Sequence, residues 1–117
     1  MGQNSGRPYS NQFAGRSIWA CLLIVMLTAV IYGQTATFAF TNFDDDSYVA
    51  ENPQVQNGLS LKNIDWAFGF SEEALAFYYH PVTWLSFMLD VEMFGVDAGG
   101  HHLVNAAFHA VNAVLLF

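Results

Sequence analysis

The chain has 117 residues, of which 54% are hydrophobic and 11% are charged, and its formal net charge is −7. This composition is too apolar for a typical soluble domain and indicates a membrane protein, while the acidic balance argues against nucleic acid as a partner. The single cysteine, Cys21, excludes an intrachain disulfide and is interpreted as a packing residue.

Residues 1–16 are predicted to form a disordered cytoplasmic tail. Gly, Asn, Gln and Ser dominate this segment, which shows no apolar period. Its two charged residues, Arg7 and Arg16, are basic, and basic residues are retained on the cytoplasmic side of a membrane helix. The N-terminus is therefore predicted to be cytoplasmic and the acidic loop that follows to be exoplasmic, which means periplasmic in a bacterium.

Residues 17–41 are predicted to form the first transmembrane helix. Within them, residues 18–40 read IWACLLIVMLTAVIYGQTATFAF, which is 23 residues without a charge, and about 20 suffice to cross a bilayer. A cleaved signal peptide is the alternative, because arginines precede the run and small residues follow its centre. The apolar region of a signal peptide is only about 7 to 15 residues long, which favours the membrane helix.

Residues 42–100 are predicted to be an exoplasmic loop that begins with an acidic triplet, Asp44, Asp45 and Asp46. Adjacent carboxylates repel one another, and they are tolerated where water, a cation or hydrogen-bond donors compensate the charge. The triplet is therefore a candidate for chemistry, and a solvated surface run is the alternative. Residues 48–58 contain an Asn-Pro and an Asn-Gly step, which predict an extended, loop-like path.

Two short helices are predicted in the rest of the loop. Ser60 is expected to cap the first, over residues 61–68. The second begins at Pro81, runs to Phe94 and is ended by Gly95. Its predicted apolar stripe is Val82, Leu85, Met88, Leu89 and Met93, with Thr83, Ser86 and Asp90 on the opposite side.

The second helix is too short to span a bilayer, and four aromatic residues are near it in the sequence: Trp66, Tyr78, Tyr79 and Trp84. These features predict that it lies at the membrane interface. The alternative is a small globular domain packed on these aromatic residues.

Gly99 and Gly100 are predicted to break the chain before residues 101–117, which would be the start of a truncated second transmembrane helix. Residues 102–117 contain no Asp, Glu, Lys or Arg, but sixteen residues fall short of a bilayer. The chain is therefore interpreted as a piece of a longer polytopic protein.

Four polar residues of the last helix, His102, Asn105, His109 and Asn112, recur at spacings that place them on one stripe. Such residues are expected to face a bundle interior or an aqueous cavity, and the alternative for the two asparagines is hydrogen bonding between helices. His101 and His102, at the start of the helix, are candidates to bind an anion such as a phosphate.

No metal site is predicted. Four histidines and an Asp-x-Asp pattern are present, but no spacing matches a zinc signature, and the acidic triplet lacks the later glycine and glutamate of a calcium loop. A divalent cation is therefore not supported as a cofactor.

Several motifs occur in order along residues 18–117: FDDDSYVAENPQVQNGLS, WAF, HPVTWLSFMLD, FG and GGHHLVNAAFHAVNAVLLF. Together they resemble the start of bacterial polytopic proteins with C-terminal tetratricopeptide repeats, which belong to the GT-C superfamily of glycosyltransferases. They are similar to the transmembrane O-mannosyltransferases with such repeats and, more distantly, to the protein O-mannosyltransferases. Tyr79 departs from this pattern, where tryptophan is expected. The resemblance implies that the chain is a fragment of an all-α membrane fold.

The resemblance also implies a polyprenyl-phosphate sugar as donor, a protein hydroxyl as exoplasmic acceptor, and an acid pair at Asp44 and Asp45, with Asp46 at a variable position. On this reading Asp44 or Asp45 accepts the proton of the attacking hydroxyl, and His101 and His102 steady the departing phosphate. The supporting residues are predicted to be His80, Asp90, Asn105 and His109.

The full-length protein is thus expected to be a membrane glycosyltransferase, and this segment alone to be inactive, because further helices and the repeats are absent from it. The alternative is a complete, non-catalytic membrane anchor or interaction subunit that binds a partner through its acidic loop. The coding DNA beyond Phe117 discriminates the two: an open frame with more apolar segments supports the enzyme, and a stop codon supports the small protein.

Overall fold

The computed structural model describes residues 10–70 and 79–117, and every regular element in these ranges is helical. The α-helices are α1 Ser10–Tyr32, α2 Pro53–Gln56, α3 Leu61–Ala67, α4 Pro81–Phe94 and α5 Ala98–Leu116. A 3-10 turn, Gly33–Thr37, follows α1, and a π-helical turn, Asp46–Ala50, precedes α2. The predicted all-α class is confirmed.

One helical stretch, Gly15–Thr37, is long and apolar enough to cross a membrane. Its large apolar side chains are mostly exposed; Trp19, for example, is 71% exposed and Val30 is 75% exposed. Apolar surface of this extent is costly in water, and contact with lipid removes that cost. The predicted membrane helix is therefore confirmed as a helix of sufficient length and composition.

The ends of this helix differ from the prediction. The structure begins α1 at Ser10, inside the predicted tail of residues 1–16, because no proline interrupts the helix there; residues 1–9 lie outside the described part of the chain. At the other end, the Thr37 hydroxyl donates to the Gln34 carbonyl at 2.9 Å, and the helix stops before the predicted residue 41. Side-chain hydrogen bonds of this kind compete with the regular helical ladder.

The chain divides into two compact units. In its described part, the first comprises residues 10–33 and 106–117, where the Tyr32 and His109 rings pack edge to face with centroids 5.1 Å apart. The second unit comprises residues 34–105 and contains the hydrophobic core. The predicted interior stripe of α5 is thus shared between the two units, with His102 and Asn105 in the second unit and His109 and Asn112 in the first.

The core of the second unit is aromatic. Six side chains are buried in it: Val49, Val55, Trp66, Ala67, Trp84 and Met88. The Trp66 and Trp84 rings are 5.1 Å apart, and Tyr48 stacks on Trp84 at 4.8 Å. Aromatic packing of this kind stabilises beyond the area it buries. Trp66 and Trp84 therefore pack together, as expected for the alternative of a small globular domain built on aromatic residues. Tyr78 lies outside the described residues.

The two predicted helices of the loop are confirmed with their caps. Ser60 caps α3, and its hydroxyl accepts the Asn63 backbone N–H at 3.1 Å. Pro81 is the first residue of α4, and Gly95 ends the helix with a φ of +65°, a conformation that glycine adopts without strain.

The burial of α4 does not follow the division into an apolar and a polar side. Of the predicted apolar stripe, Met88 is fully buried and Leu85 is half-buried, but Val82, Leu89 and Met93 are exposed. Trp84 and Asp90 are buried instead, because the helix turns its indole toward the aromatic core and Asp90 toward His101. The exposed apolar side chains could contact a membrane, and the interfacial location of α4 stays a prediction.

The predicted loop over residues 48–58 is also wrong, because the Asn-Pro step begins a helix. The Asn52 side-chain oxygen accepts from the backbone N–H groups of Gln54 and Val55, at 3.1 and 3.2 Å. Proline is well suited to the first helical position that follows, where no backbone N–H is needed. The Asn-Gly step does act as a turn, and Gly58 has a φ of +66°.

The predicted chain break at Gly99 and Gly100 is wrong as well. Both residues lie in the first turn of α5, where the Gly100 N–H donates to the Asp97 carboxylate at 3.1 Å. A Cβ atom on Gly99 would collide with the Ala36 carbonyl oxygen, and one on Gly100 would collide with the Phe94 side chain. The two glycines therefore permit close packing at the helix start rather than ending the helix.

Asn52→Ala is expected to lower the free energy of unfolding by about 1 to 2 kcal/mol, because it removes the cap of α2 and leaves buried backbone N–H groups unpaired. Thermal unfolding followed by circular dichroism in detergent micelles measures the change. Asn57→Ala is the matched control, since Asn57 is exposed and its side chain forms no hydrogen bond among the described residues. Equal effects of the two substitutions would contradict the assigned cap.

Candidate functional site

A pocket of about 370 Å³ lies in the second unit, and we call it the acidic pocket. Its lining is Phe40, Asp44, Asp45, Tyr48, Val49, His80, Thr83, Phe87, His101, His102 and Asn105. The volume is in the range of small-molecule sites. The structure thus brings six of the predicted site residues to one cavity: Asp44, Asp45, His80, His101, His102 and Asn105.

The three acids of the triplet have different surroundings. The Asp45 carboxylate accepts from the Thr41 backbone N–H at 2.8 Å and from the Thr41 hydroxyl at 3.1 Å, which fixes its position. The Asp44 carboxylate is exposed and has no hydrogen-bond donor among the described residues. Asp46 lies in the π-helical turn and does not line the acidic pocket. Asp44 is therefore the acid most available to a ligand.

His80 lines the acidic pocket beside Tyr48, which the sequence analysis missed. The Tyr48 hydroxyl is 3.0 Å from His80 Nε2, and the two rings stack with centroids 5.8 Å apart. Tyr48 lies four residues after Asp44, a spacing that places both on one face of a helical turn. The signal was hidden because residues 48–58 were predicted to be extended.

The two adjacent histidines have different roles in the fold. His101 is 3% exposed, its Nε2 is 3.1 Å from the Gly95 carbonyl oxygen, and its Nδ1 faces Asp90. His102 is half-buried, and its Nε2 is 3.4 Å from the Ala39 carbonyl oxygen. His102 Nδ1 has no hydrogen-bond partner in the part of the chain that the structure describes. This arrangement favours His102 over His101 for direct contact with an anion.

Asp90 is buried although the sequence pattern placed it on the polar side of α4. It is 3% exposed, and its Oδ2 is 3.6 Å from His101 Nδ1. Burial raises the pKa of the Asp90 carboxyl above its ordinary value, and the nearby His101 lowers it in part. Asp90 therefore lies behind His101 and is not part of the lining of the acidic pocket.

The remaining predicted residues are placed as follows. Asn105 is exposed at the lining of the acidic pocket, whereas His109 packs on Tyr32 in the first unit and is not part of the lining. Within residues 10–70 and 79–117, no three His, Cys, Asp or Glu side chains are grouped to hold a metal ion. The absence of a metal site from the whole protein stays a prediction.

Asp90→Asn is expected to raise stability at about pH 9 and to raise it less at about pH 5. Because the folded-state pKa of Asp90 is raised above the ordinary 3.8, ionised Asp90 costs stability at high pH, and the cost fades as the pH falls through that raised value. Thermal unfolding of both proteins at the two pH values measures the difference. Asp65→Asn, at an exposed acid of α3, is the control. A stability gap that does not shrink at low pH would contradict the burial argument.

Comparison with known proteins gives two matches of similar strength. The chain is 33% identical over 97 residues to "Protein O-mannosyl-transferase TMTC3" of Mus musculus and 32% identical to the Homo sapiens protein of the same name. No family model matches the chain, and no solved structure matches it. The alignments cover 80% of this chain but only 10% of each relative. The chain is thus similar over most of its length to these two transferases, and it spans about a tenth of their length.

Proposed function

We propose that this chain is part of a membrane glycosyltransferase that transfers a sugar to a protein hydroxyl, and that the acidic pocket is where the acceptor is activated. The proposal is supported by one observation: Asp44, Asp45, His80 and His102 line the same cavity. The similarity to two protein O-mannosyl-transferases supports the same reaction class.

The proposed chemical step is a displacement at the anomeric carbon of the sugar. The hydroxyl oxygen of the acceptor forms a new bond to that carbon, and the Asp44 carboxylate takes the hydroxyl proton. The bond from the anomeric carbon to the phosphate oxygen breaks, and the phosphate leaves with the electron pair. A positioned carboxylate acting as a base contributes on the order of a hundredfold or more.

Asp45 serves this step as a positioning residue. Its carboxylate is held by both Thr41 donors, so it is less able than Asp44 to accept another proton. The two hydrogen bonds from Thr41 hold Asp45 in place, and so they also hold the adjacent backbone that carries Asp44.

The donor is proposed to be a polyprenyl-phosphate sugar whose phosphate lies near the start of α5. A helix N-terminus attracts negative charge, and His102 is in the first turns of this 19-residue helix. Its Nε2 faces the Ala39 carbonyl oxygen, which only accepts, so Nδ1 donates to a phosphate oxygen when the ring carries a proton on both nitrogens.

The enzyme is further proposed to be a polytopic GT-C protein with tetratricopeptide repeats, with this chain contributing an N-terminal cytoplasmic end and an exoplasmic acidic pocket. The greater length of the two relatives supports a longer chain. Sequencing the coding DNA beyond Phe117 tests this point. Continuation into further apolar segments supports the enzyme, whereas a stop codon supports a small membrane anchor or interaction subunit.

In the full-length protein, Asp44→Asn is expected to lower the rate of sugar transfer about a hundredfold, and Asp45→Asn about tenfold, because the first removes the base and the second only its positioning partner. Transfer from a radiolabelled polyprenyl-phosphate sugar to acceptor protein in proteoliposomes measures both rates. Asp46→Asn is the matched control and should retain full activity, since Asp46 lies outside the acidic pocket. Unchanged rates in both Asp44 and Asp45 variants would exclude the assignment.

A further inference from the structure

The buried contact between Asp90 and His101 poses a problem of proton placement. His101 Nε2 is 3.1 Å from the Gly95 carbonyl oxygen, which can only accept a hydrogen bond, so Nε2 carries a proton. In a neutral ring Nδ1 then carries a lone pair. That lone pair would face the Asp90 carboxylate, 3.6 Å away, which is also an acceptor.

Two acceptors cannot face each other in a buried site without a cost, and both residues are 3% exposed. His101 Nδ1 has no hydrogen-bond partner among the described residues. One proton between Nδ1 and Asp90 removes the conflict, whether it is bound to the ring or to the carboxyl. The 3.6 Å separation is slightly longer than a hydrogen bond, so a small approach of the two groups would complete the contact.

We propose that Asp90 and His101 share one proton behind the acidic pocket, and that Asp90 is a positioning residue for the His101 ring in the transfer reaction. The catalytic part of this inference rests on the proposed function. The shared proton itself does not rest on the proposed function. It follows from which of four atoms can donate and which can accept: the Gly95 carbonyl oxygen, the two ring nitrogens of His101 and Asp90 Oδ2.

The shared proton matters because of the charge balance around the ligand. Asp44 and Asp45 already bring two carboxylates to the acidic pocket, and the other titratable groups in its lining are Tyr48, His80 and His102. An unneutralised Asp90 would add a third negative charge behind His101 and would repel an anionic donor. With one shared proton the Asp90 and His101 pair is neutral overall, so it does not repel the phosphate of an anionic donor.

The contact with Asp90 also holds the His101 ring in place. His101 packs edge to face on Phe40 at 5.5 Å and lies 6.4 Å from Phe87, and both aromatic residues line the acidic pocket. Rotation of the ring would therefore move two walls of the cavity.

The proton placement can be tested without any transfer reaction. The chain is reconstituted in lipid nanodiscs with ¹⁵N-labelled histidine, and the His101 signals are assigned by their loss in His101→Gln. At neutral pH we expect Nε2 to be protonated and Nδ1 to show either a bonded proton or a lone pair that accepts a hydrogen bond, and in Asp90→Ala we expect Nδ1 to show a lone pair without a hydrogen bond. Asp65→Asn should leave the spectrum unchanged. Identical Nδ1 signals in the wild type and Asp90→Ala would overturn the proposal.

The functional role is tested by kinetics of the full-length protein. Asp90→Asn can still donate an amide N–H to Nδ1 and hold the ring, but it has no proton to share. We therefore expect about tenfold slower transfer in both Asp90→Asn and Asp90→Ala, with partial recovery in Asp90→Glu. Full activity of Asp90→Asn would overturn the role of the shared proton and leave a purely structural contact. If the wild type transfers no sugar, the proposed function fails, while the spectra still decide the proton placement.

Discussion

The packing of Trp84 is the interaction on which the rest of the second unit depends. Its indole is 2% exposed and contacts Trp66 of α3, Tyr48 of the π-helical turn, and His80 at the start of its own helix. These contacts join three segments that are far apart in the sequence. Removing the ring would leave a large cavity in a core of only six buried hydrophobic residues among those described, so the acidic pocket depends on it.

The acidic pocket brings carboxylates close together, and neighbouring side chains and backbone groups hold some of them in place. Asp45 receives two hydrogen bonds from Thr41, Asp90 faces His101, and Asp44 is left exposed toward the cavity. Buried or crowded carboxylates need such partners, because each unpaired charge costs free energy. The carboxylate without a partner among the described residues is therefore the one that the fold leaves available for a ligand.

The helix caps and stops were predictable because they depend on neighbouring residues. Ser60 and Pro81 begin helices and Gly95 ends one as their local chemistry requires. The errors arose where a local signal has two meanings. Asn-Pro can form a turn or cap a helix, and Gly99 and Gly100 serve a close contact with Ala36 and Phe94 that no local pattern reveals.

The sequence by itself determined the helical class, the membrane-length apolar helix and the acidic triplet as a candidate site, since length, hydropathy and residue order express these directly. Only the tertiary structure decided which groups share the acidic pocket. It buried Asp90 beside His101 and distinguished Asp44 from Asp45, and it brought Tyr48 to His80. These outcomes depend on contacts between residues of different elements or on a single neighbouring donor, and neither is encoded in a local period.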